Sequence, residues 1–203
     1  MKRTAFFAAT FALILLCGCA GNNSNNNPTL DEVYQLRRSV RSYEPGRIIE
    51  ESQLRELFQA VQNAPSWANA QPTKYYVALS QESREAVLDL IGSNKNQVAN
   101  ASVLIVSTYE RGLSGFFRGE QTNEIGDGWG AHDNGLSNAY LVLKARAMGF
   151  DSLIMGMRDG DGLHKLFDIP ENETVMAVIA LGFRAGEPAV PVHKPLDEFI
   201  KFF

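Results

Sequence analysis

The chain has 203 residues, a formal net charge of −4 and 45% hydrophobic residues, with two cysteines and three histidines. No basic stripe runs through it, which argues against nucleic acid as a partner. The length is enough for one domain with a real core, and no internal repeat is visible.

The first residues read as an address. Lys2 and Arg3 precede an apolar run from Ala5 to Leu16. That run is too short for a spanning helix, which needs roughly 20 apolar residues, and has the length of a signal-peptide core. Leu16-Cys17-Gly18-Cys19 then looks like a bacterial lipobox, so residues 1–18 are expected to be a signal peptide and Cys19 a lipid-carrying new N-terminus. The alternatives are an ordinary cleavable signal with two stray cysteines, or a retained anchor. On the lipobox reading the mature chain keeps no free thiol, which excludes disulfides, thiol catalysis and cysteine metal ligands. The chain is then exported and held to a bacterial membrane, periplasmic or outer-membrane face, through lipid alone. Ala20 to Pro28 is polar and Asn-rich and reads as a flexible tether, so residues 19–28 precede a domain over 29–203.

Thr29-Leu30-Asp31-Glu32 is a capping box and predicts a short helix ending near Arg38. Ser52 opens a second helix with Leu54, Leu57, Phe58 and Val61 on one face, closed by Pro65. Tyr75–Leu79 reads as a strand, Glu82–Ile91 as a helix ended by Gly92, and Val103–Thr108 as a buried strand. Glu110 to Trp129 is Gly-rich and reads as irregular. The longest helix follows, about Ala131 to Met148, with Leu136, Ala139, Tyr140, Leu143 and Ala147 expected as its buried face and Gly149 as its C-terminal cap. A strand over Ser152–Met155, a short helix around Gly162–Phe167 and a strong strand over Val175–Gly182 complete the body. The tail from Val190 to Phe203 reads as an extended arm. Few strands, loosely alternating with helices, imply an α+β layered domain. There is no GxGxxG after a strand and no GxxxxGK[ST], so standard dinucleotide and P-loop sites are unsupported.

Two segments carry chemistry. Leu36-Arg37-Arg38-Ser39-Val40-Arg41-Ser42-Tyr43 places three guanidiniums and two serine hydroxyls at a helix end. Such a run is often just a solvated face. If the chain turns extended after Arg38, however, Arg37, Ser39 and Arg41 point one way and suit a phosphate monoester. Pro65-Ser66-Trp67-Ala68-Asn69-Ala70-Gln71-Pro72 holds two amides between prolines. It is either a polar loop or a pair of donor–acceptor groups for a heterocycle edge.

In this order and about 30 residues apart, the two segments resemble the R-[RH]-S-x-R/K-x-[FY] and P-S-x-x-N-x-Q-P motifs of the nitroreductase family. Leu166-Phe167-Asp168-Ile169-Pro170-Glu171, Ala177–Phe183 and Lys194-Pro195-Leu196 are similar to later stretches of that family. The resemblance covers Leu30 to Phe203. It implies a central, mostly antiparallel sheet flanked by helices, and a homodimer with exchanged C-terminal arms. It implies FMN at the interface, held by Arg37, Arg38, Ser39, Arg41, Asn69, Gln71 and the tail's Lys194. NADH or NADPH is the usual donor and an electron-poor small molecule, nitroaromatic or quinone, the acceptor.

One departure stands out. Where many relatives carry Pro-x-Glu-Gly, this chain reads Leu153-Ile154-Met155-Gly156, so a backbone contact from Met155 or Gly156 to the ring survives and the Glu side chain does not. The segment 110–129 matches the family's variable substrate lid, with Phe116, Phe117 and Trp129 as candidate covers. His132, His164 and His193 have no ligand spacing, and no side chain is marked as catalytic, because the chemistry sits on the flavin. Other readings are a reductive dehalogenase or flavin reductase within the superfamily, or a non-catalytic flavin-binding lipoprotein for electron relay or storage. An exported address makes soluble nicotinamide a scarce donor.

Overall fold

The computed structural model describes residues 27–203; the expected signal segment 1–18, Cys19 and most of the tether lie outside the described residues. Thr29 caps helix α1 (Leu30–Leu36) as its spacing with Glu32 predicts. Thr29 Oγ1 accepts from the Glu32 N–H at 3.3 Å, and Glu32 Oε2 accepts from the Thr29 N–H at 2.7 Å. The helix stops two residues earlier than expected because Arg37 is already extended, with ψ 128°. Helix α2 (Glu51–Val61) buries Leu54, Leu57 and Val61, and a 3-10 turn at Trp67–Asn69 leads into β1 (Thr73–Ala78).

Helix α3 (Gln81–Leu88) ends three residues before the expected Ile91, since the Leu90 carbonyl accepts from the Asp159 N–H at 2.7 Å instead of continuing the helix. A 3-10 turn, the four-residue α4 (Lys95–Val98) and β2 (Val103–Glu110) follow. The segment expected to be irregular contains a small hairpin, β3 (Phe116–Phe117) and β4 (Glu120–Gln121). Helix α5 (Gly128–Ala147) starts three residues early. Its end is a Schellman motif: Gly149 takes φ 86°, its N–H donates to Arg146 O at 3.0 Å, and the Phe150 N–H donates to Ala145 O at 2.8 Å. Strand β5 (Asp151–Met155), helix α6 (Gly160–Phe167), β6 (Glu173–Gly182) and a final turn of helix α7 (Leu196–Phe199) complete the chain.

The four long strands form one sheet in the order β1-β2-β6-β5, antiparallel at every pairing. Alternation along β2 feeds two cores. Leu104 and Val106 point to the face that carries Val87, Ile91 and Leu163, and Val103 and Ile105 to the face covered by Leu54, Leu57 and Leu141. Helix α5 lies on the second face, and Gly130 is required there: a Cβ would sit 2.4 Å from the Tyr109 ring.

The expected buried face of α5 is a correction. Asp133, Asn134, Ser137, Asn138, Leu141, Val142 and Ala145 face the sheet, while Leu136, Ala139, Tyr140, Leu143 and Ala147 form the outer side, with Tyr140 41% exposed. The inner polar residues are tolerated because they bond to one another and to the strands. Asn138 Nδ2 donates to Asn134 Oδ1 at 2.8 Å, and Asn134 Nδ2 donates to Ser107 Oγ at 2.8 Å and Thr108 O at 2.9 Å. An apolar stripe announces that it needs cover and does not say whether the same chain supplies it. Among the described residues no helix is long and apolar enough to cross a membrane, and no cluster of His, Cys, Asp or Glu could hold a metal.

Candidate functional site

The arginine segment runs beside the outer edge of β5. Ser39 bridges Ser152 in parallel, the Val40 N–H donates to Ser152 O at 3.0 Å, and Tyr43 pairs with Arg184 in antiparallel fashion. Val40 and Tyr43 point into the core while Ser39, Arg41 and Ser42 are exposed; Ser39–Val40–Arg41 alternates as an extended segment does, and the chain breaks step at Ser42 before Tyr43 turns inward. Arg37 and Arg38 are half-buried. Among the described residues none of Arg37, Arg38 or Arg41 pairs with a carboxylate; Arg38 donates to Arg37 O at 2.8 Å and Arg41 to Ser39 O at 3.3 Å. Three uncompensated guanidiniums beside a serine form a donor set suited to a phosphate monoester.

This edge is anchored from beneath. Asp151, 4% exposed, accepts from Arg184 at 2.6 and 2.9 Å and from Arg146 at 2.8 Å, and Arg184 also donates to the Leu36 carbonyl at 3.1 Å. Burial pushes the Asp151 carboxyl up, but the bonds from Arg184 and the charges of Arg146 and Arg184 outweigh it and hold it below the usual carboxylate value. Met155 and Gly156 end the same edge strand. The Met155 side chain is buried in the core, so only backbone remains to meet a ligand there, and Arg158 fixes that strand end by donating to Gly156 O at 3.2 Å. Lys194 lies on the exposed tail, which leaves from this edge through Arg184 and Ala185.

The amide segment sits elsewhere. Ala68, Asn69 and Gln71 all take positive φ, 44°, 58° and 50°, which strains non-glycine residues by about 1–2 kcal/mol each. The turn is held by the Ala70 N–H on Trp67 O at 2.7 Å, the Gln71 N–H on Ser66 Oγ at 3.0 Å, and the Trp67 N–H on Asp133 Oδ2 at 2.9 Å. Among the described residues the side-chain amides of Asn69 and Gln71 make no hydrogen bond, and both residues are exposed. Strain that presents unbonded polar groups is a mark of a ligand site. The turn opens on a cleft of about 1080 Å³ between α2 and β1, lined by Arg55, Phe58, Lys74 and Tyr75, with Ser137 and Asp133 along it. Tyr75 donates to Asn138 Oδ1 at 3.0 Å beside Ser137 Oγ at 2.9 Å, and burial pushes its hydroxyl up to about 12.

The two segments occupy opposite corners of the sheet. Thr73, which follows the amide turn, pairs with Tyr109, and Tyr109 with Thr174; Ser152, beside Ser39, pairs with Leu181 at the other end of β6. Four strand spacings from β1 to the arginine segment amount to roughly 19 Å. Along α5, from Asp133 beneath the turn to Ala147 near β5, the separation is about 21 Å. One chain thus gathers Arg37, Arg38, Ser39, Arg41, Met155 and Gly156 on one edge and leaves Asn69 and Gln71 on the other. Asp133, Arg158 and the Asp151–Arg184 anchor went unread in the sequence: an isolated charged residue carries no motif, and only long-range packing reveals its partners.

Three comparisons bear on this arrangement. YdgI of Bacillus subtilis, named as an NAD(P)H nitroreductase, is 26% identical over 195 residues, covering 82% of this chain and 93% of that protein. A nitroreductase of Exiguobacterium sibiricum solved in complex with FMN superposes with a TM-score of 0.78 at 19% identity, covering 87% of this chain and 98% of that one. CLA-ER, an enone reductase of gut-bacterial fatty acid saturation, superposes with a TM-score of 0.78 at 21% identity, covering 87% and 98%. These likenesses show the fold, an antiparallel sheet flanked by helices. The family model described as "Nitroreductase family" matches residues 35–183, from the end of α1 to just past β6, and the chain belongs to the nitroreductase family.

Proposed function

We propose that the chain is an FMN-dependent oxidoreductase that reduces an electron-poor small molecule, with NADH or NADPH as donor, and that it works as a homodimer. Family membership, the FMN-bound neighbour and the name of the Bacillus relative support the chemistry. Bound FMN would supply hydride or single electrons at its ring, so the protein needs no nucleophile or strong base. Arg37, Arg38 and Arg41 would neutralise the phosphate, Ser39 would donate a neutral hydrogen bond, and Lys194 would close from the tail. Asn69 and Gln71 would meet the ring or the ribityl chain, and the backbone at Met155 and Gly156 would face the ring edge.

The observation that carries this reading is the diagonal placement of the two motifs on one sheet. A ligand held by both needs the arginine edge of one copy and the amide turn of another. Two further features fit a second copy: the half-exposed outer stripe of α5, and a tail whose Leu196, Phe199, Phe202 and Phe203 are all exposed. Removing residues 190–203 should yield a monomer without flavin, measured by light scattering and absorbance in the flavin bands. A stable truncated dimer that carries FMN would contradict the arm exchange. Anaerobic bleaching of the purified protein by NADH or NADPH, and reoxidation by a nitroaromatic, a quinone or an enone, tests donor and acceptor class together.

The N-terminal address belongs to the same proposal. Residues 1–18 direct export, Cys19 carries lipid, and residues 19–28 tether the domain to the membrane surface. Cys19→Ser should abolish the lipid adduct in mass spectra and move the protein from the membrane fraction to the soluble one. An unchanged membrane fraction would refute the anchor. Failure of NADH and NADPH to bleach the flavin would overturn the nicotinamide donor and leave a membrane or protein donor, which an exported address would suit.

A further inference from the structure

The Asp133 carboxylate is 3% exposed and binds both segments that would border an acceptor. Its Oδ2 accepts from the Trp67 N–H of the amide turn at 2.9 Å and from Ser114 Oγ, at the root of the 114–129 segment, at 2.6 Å. Its Oδ1 lies 3.2 Å from His132 Nδ1. Ser114 is itself 1% exposed. A buried carboxylate with two donors from segments 47 residues apart forms strong, short bonds and tolerates little misplacement.

The segments it joins differ in how well they hold themselves. The 114–129 segment is braced internally: the Thr122 N–H donates to Gly115 O at 2.9 Å and Trp129 Nε1 donates to Asn123 Oδ1 at 3.0 Å; Asp127 Oδ1 also accepts from the Gly112 N–H just before the segment, at 2.7 Å. The amide turn is strained at three residues and needs an outside restraint at its start, which is where the Trp67 N–H bond falls. Above the carboxylate, Trp67 packs on Trp129 with ring centroids 4.8 Å apart and planes at 51°, and His132 meets Trp129 edge-on at 5.3 Å.

We propose that Asp133 is a positioning residue that locks the amide turn to the 114–129 segment, so that the flavin-facing amides and the cover over the acceptor are set as one unit. The proposal rests on the flavin reading for what the unit serves, and on geometry alone for its existence.

The junction carries its own reporter, because Trp67 and Trp129 are the two tryptophans of the chain. At their spacing the strong short-wavelength indole transitions couple, which should give a circular dichroism couplet on top of the backbone signal with or without flavin. In the full-length protein, Asp133→Asn keeps the shape and removes the charge. It should collapse the couplet while the protein still unfolds in one cooperative thermal transition, and weaken FMN about tenfold, the loss of one charge-assisted bond. Ser114→Ala frees only the cover. It should diminish the couplet, leave FMN affinity within about twofold and raise the acceptor KM more than it lowers kcat. A folded Asp133→Asn protein with the wild-type couplet, or with the couplet lost and FMN affinity unchanged, overturns the proposal. If Asp133→Asn does not fold, Ser114→Ala decides: a wild-type couplet overturns the tie and a diminished one supports it. A wild-type protein that takes up no FMN would sink the flavin reading, while the couplet would still judge the Asp133 tie.

Discussion

The two edges of the sheet solve the same problem by opposite means. The arginine edge is unstrained extended backbone, laid on β5 and pinned from below by the buried Arg146–Asp151–Arg184 cluster; among the described residues its own guanidiniums are left without carboxylates. The amide turn, Pro65 to Pro72, carries no charged side chain of its own and stores its specificity in backbone, three non-glycine residues in the left-handed region that turn two amides outward. Charge is a long-range, forgiving way to hold a phosphate, whereas a ring edge demands hydrogen-bond groups at fixed positions. One edge is therefore built for attraction and the other for placement, and each is incomplete alone.

The largest test falls on the pinning of the first edge. Asp151→Asn leaves two partly buried guanidiniums facing a neutral amide, and should cost about 3 kcal/mol of stability by urea denaturation. The pH dependence has a definite sign. The folded carboxyl titrates below its unfolded value, so its contribution is fully present above the unfolded carboxylate range near pH 4 and fades as pH falls through the folded value. The acid limb of the wild-type stability curve should flatten in Asp151→Asn, and identical limbs would remove Asp151 from the anchor.

The next test strips the attraction itself. Arg37→Ala together with Arg41→Ala should weaken FMN roughly 100-fold by fluorescence titration, two charge-assisted contacts at about 1.4 kcal/mol or more each, with melting temperature nearly unchanged because among the described residues the Arg41 side chain bonds only the Ser39 carbonyl and that of Arg37 makes no hydrogen bond. A large fall in melting temperature would make the segment structural. The smallest test relaxes the second edge. Ala68→Gly at φ 44° should stabilise the fold by up to about 1 kcal/mol in thermal denaturation, while loosening the turn and raising the FMN dissociation constant. Destabilisation would mean that the left-handed turn is not strained.

What was legible in the sequence follows the same division. Local signals were readable, since their physics is local: the Thr29–Glu32 box, the Gly149 cap and the apolar strand from Val103. Both chemical segments could be read from residue type and spacing. Their placement at opposite corners could not, because strand order is set by which faces bury together and no short motif encodes it. The face of α5 runs against its apolar pattern for a related reason. Its apolar stripe matched the helical period, yet the polar side went inward, because Asn134, Ser137 and Asn138 find partners on β2 and β1 that a one-dimensional pattern does not contain. Asp133 was invisible for the same cause. Its partners are the backbone of Trp67 and the hydroxyl of Ser114, far away in the chain.

Mixing two defective chains tests the shared site most directly. One carries Arg37→Ala and Arg41→Ala, the other Asn69→Ala and Gln71→Ala, and each alone should purify without flavin. If every site combines the arginine edge of one copy with the amide turn of the other, a mixed dimer holds one site with both halves intact. Refolding an equimolar mixture should then restore FMN to about a quarter of all sites, read from flavin absorbance per protein. A mixture as free of flavin as its parents would show that both halves of the site come from one chain, and would contradict the account.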